Sequence, residues 1–142
     1  MHVTVACPAA YEPDPGIFAG AARWASRTGA SLQVLHDPGA AVSGAHAVYA
    51  DVWASMGEEH EREARKRTLA PFQVTEELMA LAKPEAIFLH CLPAKRGEEV
   101  AAAVIDGPQS AVWQQSANRL PTEAALLLAL TGGLERDLQG GA

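Results

Sequence analysis

The sequence is poor in the features that mark membrane, secreted and nucleic-acid-binding proteins. Its 142 residues include two cysteines, Cys7 and Cys91, which form no metal or redox spacing, so we expect reduced thiols in a cytoplasmic protein. The longest apolar runs, 86–89 and 124–130, are too short to cross a bilayer, and the first residues lack the layout of a signal peptide. Eleven Lys and Arg against seventeen Asp and Glu give a net charge of −6, which argues against nucleic-acid binding.

Glycine-rich phosphate loops are also missing. No G-x-G-x-x-G follows a predicted strand, and Gly16 and Gly20 have the wrong spacing, which disfavours a dinucleotide-binding domain. Apolar residues at 49% and charged residues at 20% are ordinary for a folded globular chain. We therefore expect one domain with a real core and no visible linker or repeat.

Short apolar runs alternate with helical patterns along the whole chain. The runs predict strands at residues 3–6, 32–35, 47–50 and 86–89, with a weak fifth strand at 111–113. The helical patterns predict one helix that Asp14-Pro15-Gly16 opens, a second over about 56–69, and a third from Pro121 to Leu130. This alternation predicts an α/β domain, a doubly wound parallel sheet of about five strands between two helix layers.

Ligands of such sheets bind at the carboxyl ends of the strands, beside a topological switch point. The third predicted strand is followed by residues 51–58 and the fourth by residues 90–94, and these two segments carry the polar chemistry. The candidate site is therefore expected where these two strands end.

Residues 55–58 have two interpretations. Ser55 and Glu58 match a capping box, which would make this segment a plain helix start. The same free backbone amides also form a site for a carboxylate. Asp51 then adds a negative charge a few residues away, and the pair suits a zwitterion whose ammonium contacts Asp51 and whose carboxylate contacts the amides and the Ser55 hydroxyl.

The other two candidates also have ordinary structural interpretations. A lone cysteine such as Cys91 is more often a small buried residue than a nucleophile, and no Cys–His–Asn spacing supports a reactive thiol. The Leu92-Pro93 step restricts the backbone and fixes neighbouring groups. Arg119, just ahead of the predicted Pro121 helix, is either a surface arginine or a guanidinium fork for phosphate.

Five segments in order resemble the ornithine carbamoyltransferases, and specifically the carboxyl-terminal half of that family. They are Tyr11-Glu12-Pro13-Asp14, Asp51-Val52-Trp53-Ala54-Ser55-Met56-Gly57, Phe72-Gln73-Val74-Thr75, Phe88-Leu89-His90-Cys91-Leu92-Pro93-Ala94 and Asn118-Arg119. The resemblance covers essentially the whole chain and implies that residues 1–142 are an ornithine-binding domain. It also implies carbamoyl transfer from carbamoyl phosphate to L-ornithine, giving L-citrulline, in a homotrimer and with no metal or organic cofactor.

The resemblance implies two overlapping sets of site residues. Asp51, Ser55 and Met56 would bind ornithine, while Cys91, Leu92 and Arg119 would lie at the carbamoyl phosphate. Asp51 and Cys91 would also take part in catalysis, with Cys91 orienting the substrates or tuning the attacking δ-amine. Two departures lie next to Arg119: Ala117 stands where the family commonly has Glu, and Pro121 where it commonly has His.

The resemblance also points to missing parts. The family's Ser-x-Arg-Thr-Arg phosphate loop and His-Pro-x-Gln motif do not occur in this sequence. The resemblance also implies that a central strand is missing, one that in the family's sheet lies between the strands corresponding to residues 3–6 and 47–50. We therefore expect no activity from this chain alone. The alternatives are a non-catalytic amino-acid-binding or interaction remnant, and a carbamoyltransferase of the putrescine or acetylornithine type.

Overall fold

The computed structural model describes residues 1–54 and 61–131, and its strands are short and parallel. They are β1 (His2–Ala6), β2 (Ser31–Leu35), β3 (Ala47–Ala50) and β4 (Ile87–His90). β1 pairs with β2 and β3 pairs with β4, both in parallel. Since parallel neighbours need a crossover and helices supply it here, the predicted α/β class is confirmed.

The helices of the described residues lie between and after these strands. They are α1 (Pro15–Arg27), α2 (Pro38–Val42), α3 (Arg62–Leu69), α4 (Glu76–Met79), α5 (Ala102–Ile105) and α6 (Val112–Leu130). α1 begins where the sequence predicts, because the Asp14 carboxylate accepts the backbone N–H groups of Gly16 and Ile17 at 2.9 and 3.0 Å. In the described part of the chain, no helix has the length and apolar character needed to span a membrane.

Two predictions near α6 were wrong. Residues 111–113 do not form a fifth strand: Ser110 makes one isolated parallel bridge to Phe88, and α6 begins at Val112. So short an apolar run does not distinguish a strand from a helix start, and burial of Val112 in the core decides for the helix. Pro121 lies inside α6 instead of starting it, so Arg119 stands within a helix and not before one.

The single sheet that the sequence predicts is present as two separate strand pairs, with the order β2–β1 and β3–β4. A cavity of about 370 Å³ lies between them, lined by Thr4–Ala6 on one side and by 47–51 on the other. Among residues 1–54 and 61–131, β1 pairs with β2 alone and β3 with β4 alone, so each of these strands has one open edge. The gap agrees with the predicted absence of a central strand between these two elements.

The hydrophobic core lies under the second strand pair. Its buried members all come from the segment after β3: Val74, Met79, Phe88, Val100, Val104, Ile105 and Val112. Val48 and Ala50 of β3 pack against them. The carboxyl ends of β3 and β4 are therefore held by the best-packed part of the molecule, and this is where the candidate site residues lie.

Candidate active site

The candidate site follows directly from the register of β3 and β4. Ala50 pairs with His90 as the last pair of the ladder, so the next residue on each strand, Asp51 or Cys91, emerges at the same edge. The Cys91 thiol donates a hydrogen bond to Asp51 Oδ1 over 3.0 Å. The two residues that sequence reasoning assigned to neighbouring turns are thus in direct contact.

Asp51 is held in place from its own turn as well. Its Oδ1 accepts the backbone N–H of Val52 at 2.7 Å, and the side chain as a whole is exposed. An ionised carboxylate has about four lone-pair sites, so Asp51 keeps acceptor capacity after these two bonds. The arrangement offers an oriented negative charge to a cationic group in the open cleft.

The environment of Cys91 raises the pKa of its thiol. Burial is the largest cause, followed by the hydrogen bond to Asp51 and the negative charge of that carboxylate. A raised pKa keeps the thiol protonated at neutral pH, since the thiolate would lie beside a carboxylate. Cys91 therefore has the properties of a hydrogen-bond donor, not of a nucleophile.

The turn after Cys91 has an unusual backbone. Leu92 has φ of 56°, and the Leu92–Pro93 peptide bond is cis. The Leu92 N–H donates to His90 Nδ1 at 2.8 Å, which ties the turn back to the end of β4. The sequence predicted a rigid step here, and the positive φ of a non-glycine residue is the kind of local strain found at functional sites.

His90 and Glu99 form a buried pair beneath this turn. Both side chains are about 1% exposed or less, and His90 Nε2 lies 3.3 Å from Glu99 Oε1. Because His90 Nδ1 accepts a backbone N–H, Nε2 is the nitrogen that carries the proton in the neutral ring. His90 is therefore a buried, hydrogen-bonded structural residue, and nothing in the sequence marks Glu99 as its neighbour.

Arg119 of α6 lies in a different cavity from the one that Asp51 lines. It lines a cavity of about 450 Å³ together with Cys91, Leu92 and Tyr49. Its Nη2 is 3.9 Å from Glu123 Oε1, and both side chains are about two-thirds exposed, so this ion pair is weak. The structure thus brings Asp51, Cys91, Leu92 and Arg119 to one edge of the sheet.

Ser55 and Met56, the other two predicted site residues, lie outside the described residues. The segment up to Ala54 is described, and Ala54 itself is buried. Within residues 1–54 and 61–131, no three or more His, Cys, Asp or Glu side chains are grouped so as to hold a metal ion.

A family model matches nearly the whole chain. The model described as "Aspartate/ornithine carbamoyltransferase, Asp/Orn binding domain" matches residues 1–130. The chain belongs to this family. The match extends through β1 to α6, and therefore includes every element that contributes to the candidate site.

Individual relatives of the carbamoyltransferase family agree. The chain is 54% identical over 134 residues to an ornithine carbamoyltransferase of Methanothermobacter thermautotrophicus, covering 94% of this chain and 44% of the relative. It also resembles the solved ornithine carbamoyltransferase of Pyrococcus furiosus, with a TM-score of 0.84, 50% identity, and coverage of 89% and 41%. A solved N-acetyl-L-ornithine transcarbamylase mutant complexed with PALAO has a TM-score of 0.79, 36% identity, and coverage of 92% and 40%. The chain spans less than half the length of these relatives.

Two residues beside the predicted carbamoyltransferase site were not found from the sequence. Gln115 of α6 accepts the backbone N–H of His90 at 3.0 Å, and it donates to the Tyr49 hydroxyl at 3.1 Å. The sequence did not indicate Gln115 as a helix residue, because the predicted helix starts at Pro121 and does not include it. The sequence marks Tyr49 only as part of a predicted strand, whereas the structure shows that its side chain is 58% exposed.

Proposed function

We propose that this chain forms the ornithine-binding part of an ornithine carbamoyltransferase, which converts carbamoyl phosphate and L-ornithine into L-citrulline and phosphate. The observation that carries the proposal is the 3.0 Å contact between Cys91 Sγ and Asp51 Oδ1 in a chain of this family. The contact gives one wall of the cleft a fixed carboxylate and a protonated thiol.

The binding half of the proposal uses the charge of Asp51. Its carboxylate accepts the α-ammonium of ornithine, and we assign the α-carboxylate to the segment that contains Ser55 and Met56. When both charged groups on the α-carbon are held, the side chain of ornithine is free to extend toward Cys91. An aspartate next to the helix start that the sequence predicts at residues 55–58 suits these two roles.

The transfer half uses Cys91, Leu92 and Arg119. The lone pair of the neutral δ-amine attacks the carbamoyl carbon, the bond from that carbon to the phosphate oxygen breaks, and the amine proton passes to the departing phosphate, which leaves as inorganic phosphate. The raised pKa of Cys91 supports an orienting role for a protonated thiol, whose one proton is donated to Asp51. The exposed guanidinium of Arg119 is available to a phosphate, and positioning and charge stabilisation supply the rate. No step requires a metal or an organic cofactor.

We infer that a further polypeptide segment supplies the rest of the site, and that the assembly is a cytoplasmic homotrimer. The proposal rests on the shortness of the chain relative to its relatives and on the two phosphate-binding motifs that its 142 residues lack. The far end of α6 supports a covering partner, because a run of large apolar side chains there is solvent-exposed: Leu120, Leu126, Leu127, Leu128 and Leu130.

The proposal is tested by citrulline formation in two samples. The purified 142-residue chain is expected to show no turnover. In the second sample, this chain replaces the 134 aligned residues of the Methanothermobacter relative, and turnover of L-ornithine is expected. Turnover by the isolated chain would contradict the proposed division into two parts.

The matched variants of the chimera are Asp51→Asn and Cys91→Ser. Loss of the carboxylate is expected to raise KM for L-ornithine by about 100-fold, since it removes an ion pair to the substrate. Cys91→Ser is expected to lower kcat more than it raises KM. Unchanged KM in Asp51→Asn would refute the assigned role.

Three alternative functions are outcomes of the same assay. N-acetyl-L-ornithine has no α-ammonium for Asp51, so a chimera that prefers it, and that tolerates Asp51→Asn, would be an acetylornithine-type enzyme. Preference for putrescine would indicate the diamine type. A folded chimera that binds L-ornithine by calorimetry, but makes no citrulline, would support the non-catalytic remnant.

A further inference from the structure

α6 packs against the strand pair at its beginning and is exposed over the rest of its length. Val112 is fully buried in the core, and Gln115, one turn later, is half-buried. Every residue from Ser116 to Leu130 is exposed. Within the described part of the chain, the position of Arg119 is therefore set by contacts that come before it on the helix.

The Gln115 side chain joins α6 to the ends of both strands of the second pair. Its Oε1 accepts the backbone N–H of His90, the last residue of β4, at 3.0 Å, and its Nε2 donates to the Tyr49 hydroxyl of β3 at 3.1 Å. A backbone N–H only donates, so the amide oxygen must face His90 and the NH₂ group must face Tyr49. Both ends of the amide are thus engaged, and its partners fix its orientation.

Gln115 and Arg119 lie on the same face of α6, because residues four apart on an α-helix are neighbours. Both side chains line the cavity of about 450 Å³ to which Cys91 and Leu92 also contribute. The ion pair of Arg119 with Glu123 is exposed and weak, so it does little to hold the guanidinium in one place. The anchored amide of Gln115 lies one turn before it.

We infer that Gln115 is a positioning residue, which anchors α6 to the ends of β3 and β4 and so places the Arg119 guanidinium beside the Cys91–Leu92 turn. The anchor rests on geometry, while its meaning for catalysis rests on the proposed function, in which Arg119 holds phosphate. A guanidinium that is already in place loses less conformational freedom when it binds an anion. Gln115 therefore acts on carbamoyl phosphate, whereas the α-ammonium of L-ornithine contacts Asp51, which lines a different cavity.

The test measures KM for each substrate in the chimera with the Methanothermobacter relative. Gln115→Met removes both hydrogen bonds and keeps the length and helix propensity of the side chain. KM for carbamoyl phosphate is expected to rise about fivefold, the net effect of one hydrogen bond, with KM for L-ornithine unchanged. Tyr49→Phe removes one of the bonds and keeps the ring, so a smaller rise is expected. If Gln115→Met fails to fold, the presence or absence of that smaller rise decides.

A double-variant cycle with Arg119 separates positioning from direct contact with the substrate. Arg119→Gln removes the guanidinium, and in that background Gln115→Met is expected to add nothing to KM for carbamoyl phosphate, because it acts through Arg119. If Gln115 touched the phosphate itself, the two effects would add. Ser116→Ala, at the next position of α6 and in the same cavity, is the control and is expected to leave both KM values unchanged.

Hydrogen exchange at the backbone amide of His90 reports the anchor without any turnover. Gln115→Met removes the acceptor of this N–H, so exchange followed by mass spectrometry is expected to be faster in the peptide that contains His90. Ser116→Ala is expected to leave the exchange rate as it is in the parent. An unchanged rate in Gln115→Met would refute the anchor.

The inference is overturned if Gln115→Met leaves KM for carbamoyl phosphate unchanged, raises KM for L-ornithine equally, or has an effect that adds to that of Arg119→Gln. Any of these results in a chimera that forms citrulline would leave the proposed function standing. If the parent chimera forms no citrulline, the proposed function fails, and protection of Arg119 from phenylglyoxal by inorganic phosphate decides the inference instead. Weaker protection in Gln115→Met than in the parent would support it, and equal protection would overturn it.

Discussion

The two strand pairs have similar backbone pairing and very different interiors. β1 and β2 pair over the five residues from His2 to Ala6, and β3 and β4 over the four from Ala47 to Ala50. Yet the core cluster lies wholly between Val74 and Val112, and α1 has no buried residue. Within residues 1–46, the buried apolar side chains are those of Cys7 and Val42. The first strand pair therefore has the longer ladder but buries fewer apolar side chains.

The comparison shows that the burial of apolar side chains, and not the length of backbone pairing, decides which strand ends hold site residues firmly. A two-stranded pair in water is marginal unless one face is covered by apolar side chains. Asp51 and Cys91 extend from strands that pack on the core through Phe88 and Val48. The carboxyl end of the first pair has no comparable support, and it carries no residue of the proposed site.

A His–Glu pair in each half repeats the contrast. Glu12 and His36, which follow β1 and β2, are 3.1 Å apart and about half exposed. Glu99 and His90 are 3.3 Å apart and buried. The same two residue types thus form a solvated contact in one half and a structural one in the other.

The largest effect is expected from truncation of the core. Phe88→Ala removes a fully buried ring and should lower the free energy of unfolding by about 3–5 kcal/mol, from lost burial and the resulting cavity. Val3→Ala, the control on β1, should cost under about 1 kcal/mol, because Val3 is 37% exposed. Urea unfolding of both variants measures the difference, and equal losses would show that the first pair is as well packed as the second.

An intermediate effect is expected from the two Glu–His pairs. Glu99→Ala leaves His90 Nε2 facing a void and removes the acceptor of the Lys95 backbone N–H, so it should cost about 1–3 kcal/mol. Glu12→Ala should cost well under 1 kcal/mol, since an exposed pair contributes little. Thermal unfolding of the two variants side by side is the measurement. A larger loss from Glu12→Ala would reverse the comparison.

The smallest effect is expected in the free energy of unfolding at acid pH. The hydrogen bond from Arg62 holds the pKa of Glu98 below its usual 4.5. A lowered folded-state pKa contributes stability that is present above about pH 4.5 and is lost as the pH falls through the folded value. Glu98→Gln should therefore be less stable than the parent near pH 6, with the gap closing toward pH 3.

The matched control for this prediction is the Arg96–Asp106 pair. Arg96 holds the pKa of Asp106 below its usual 3.8 in the same way, but both side chains are about half exposed. Asp106→Asn should show the same sign with a smaller amplitude, because solvent screens the pair. A gap that widens toward low pH in either variant would contradict the sign of the shift.

Much of the fold was predictable because local signals agree with it. The four strands lie within a residue of the predicted runs, and Asp14 and Asp37 cap the helices that follow them. The failures are also local in origin. Residues 111–113 are too few to show a period, and Pro121 is a helix-start signal that α6 does not use.

The candidate site was predictable in part, through the rule that ligands bind where parallel strands end. That rule selected Asp51 and Cys91, although it did not give their 3.0 Å contact. The rule did not select Tyr49, Gln115 or Glu99, since nothing in the neighbouring sequence marks these residues. Their importance comes from partners 25 or 66 residues away or from complete burial.

The sequence by itself determined the α/β class, the strand positions and the polar residues at the strand ends, because these depend on periodicity and neighbouring residues. Only the tertiary structure decided the register that joins Asp51 to Cys91, the placing of Gln115 between His90 and Tyr49, and the unequal packing of the two strand pairs. Those features depend on distances between distant segments, and such distances are set by how side chains fill a shared interior.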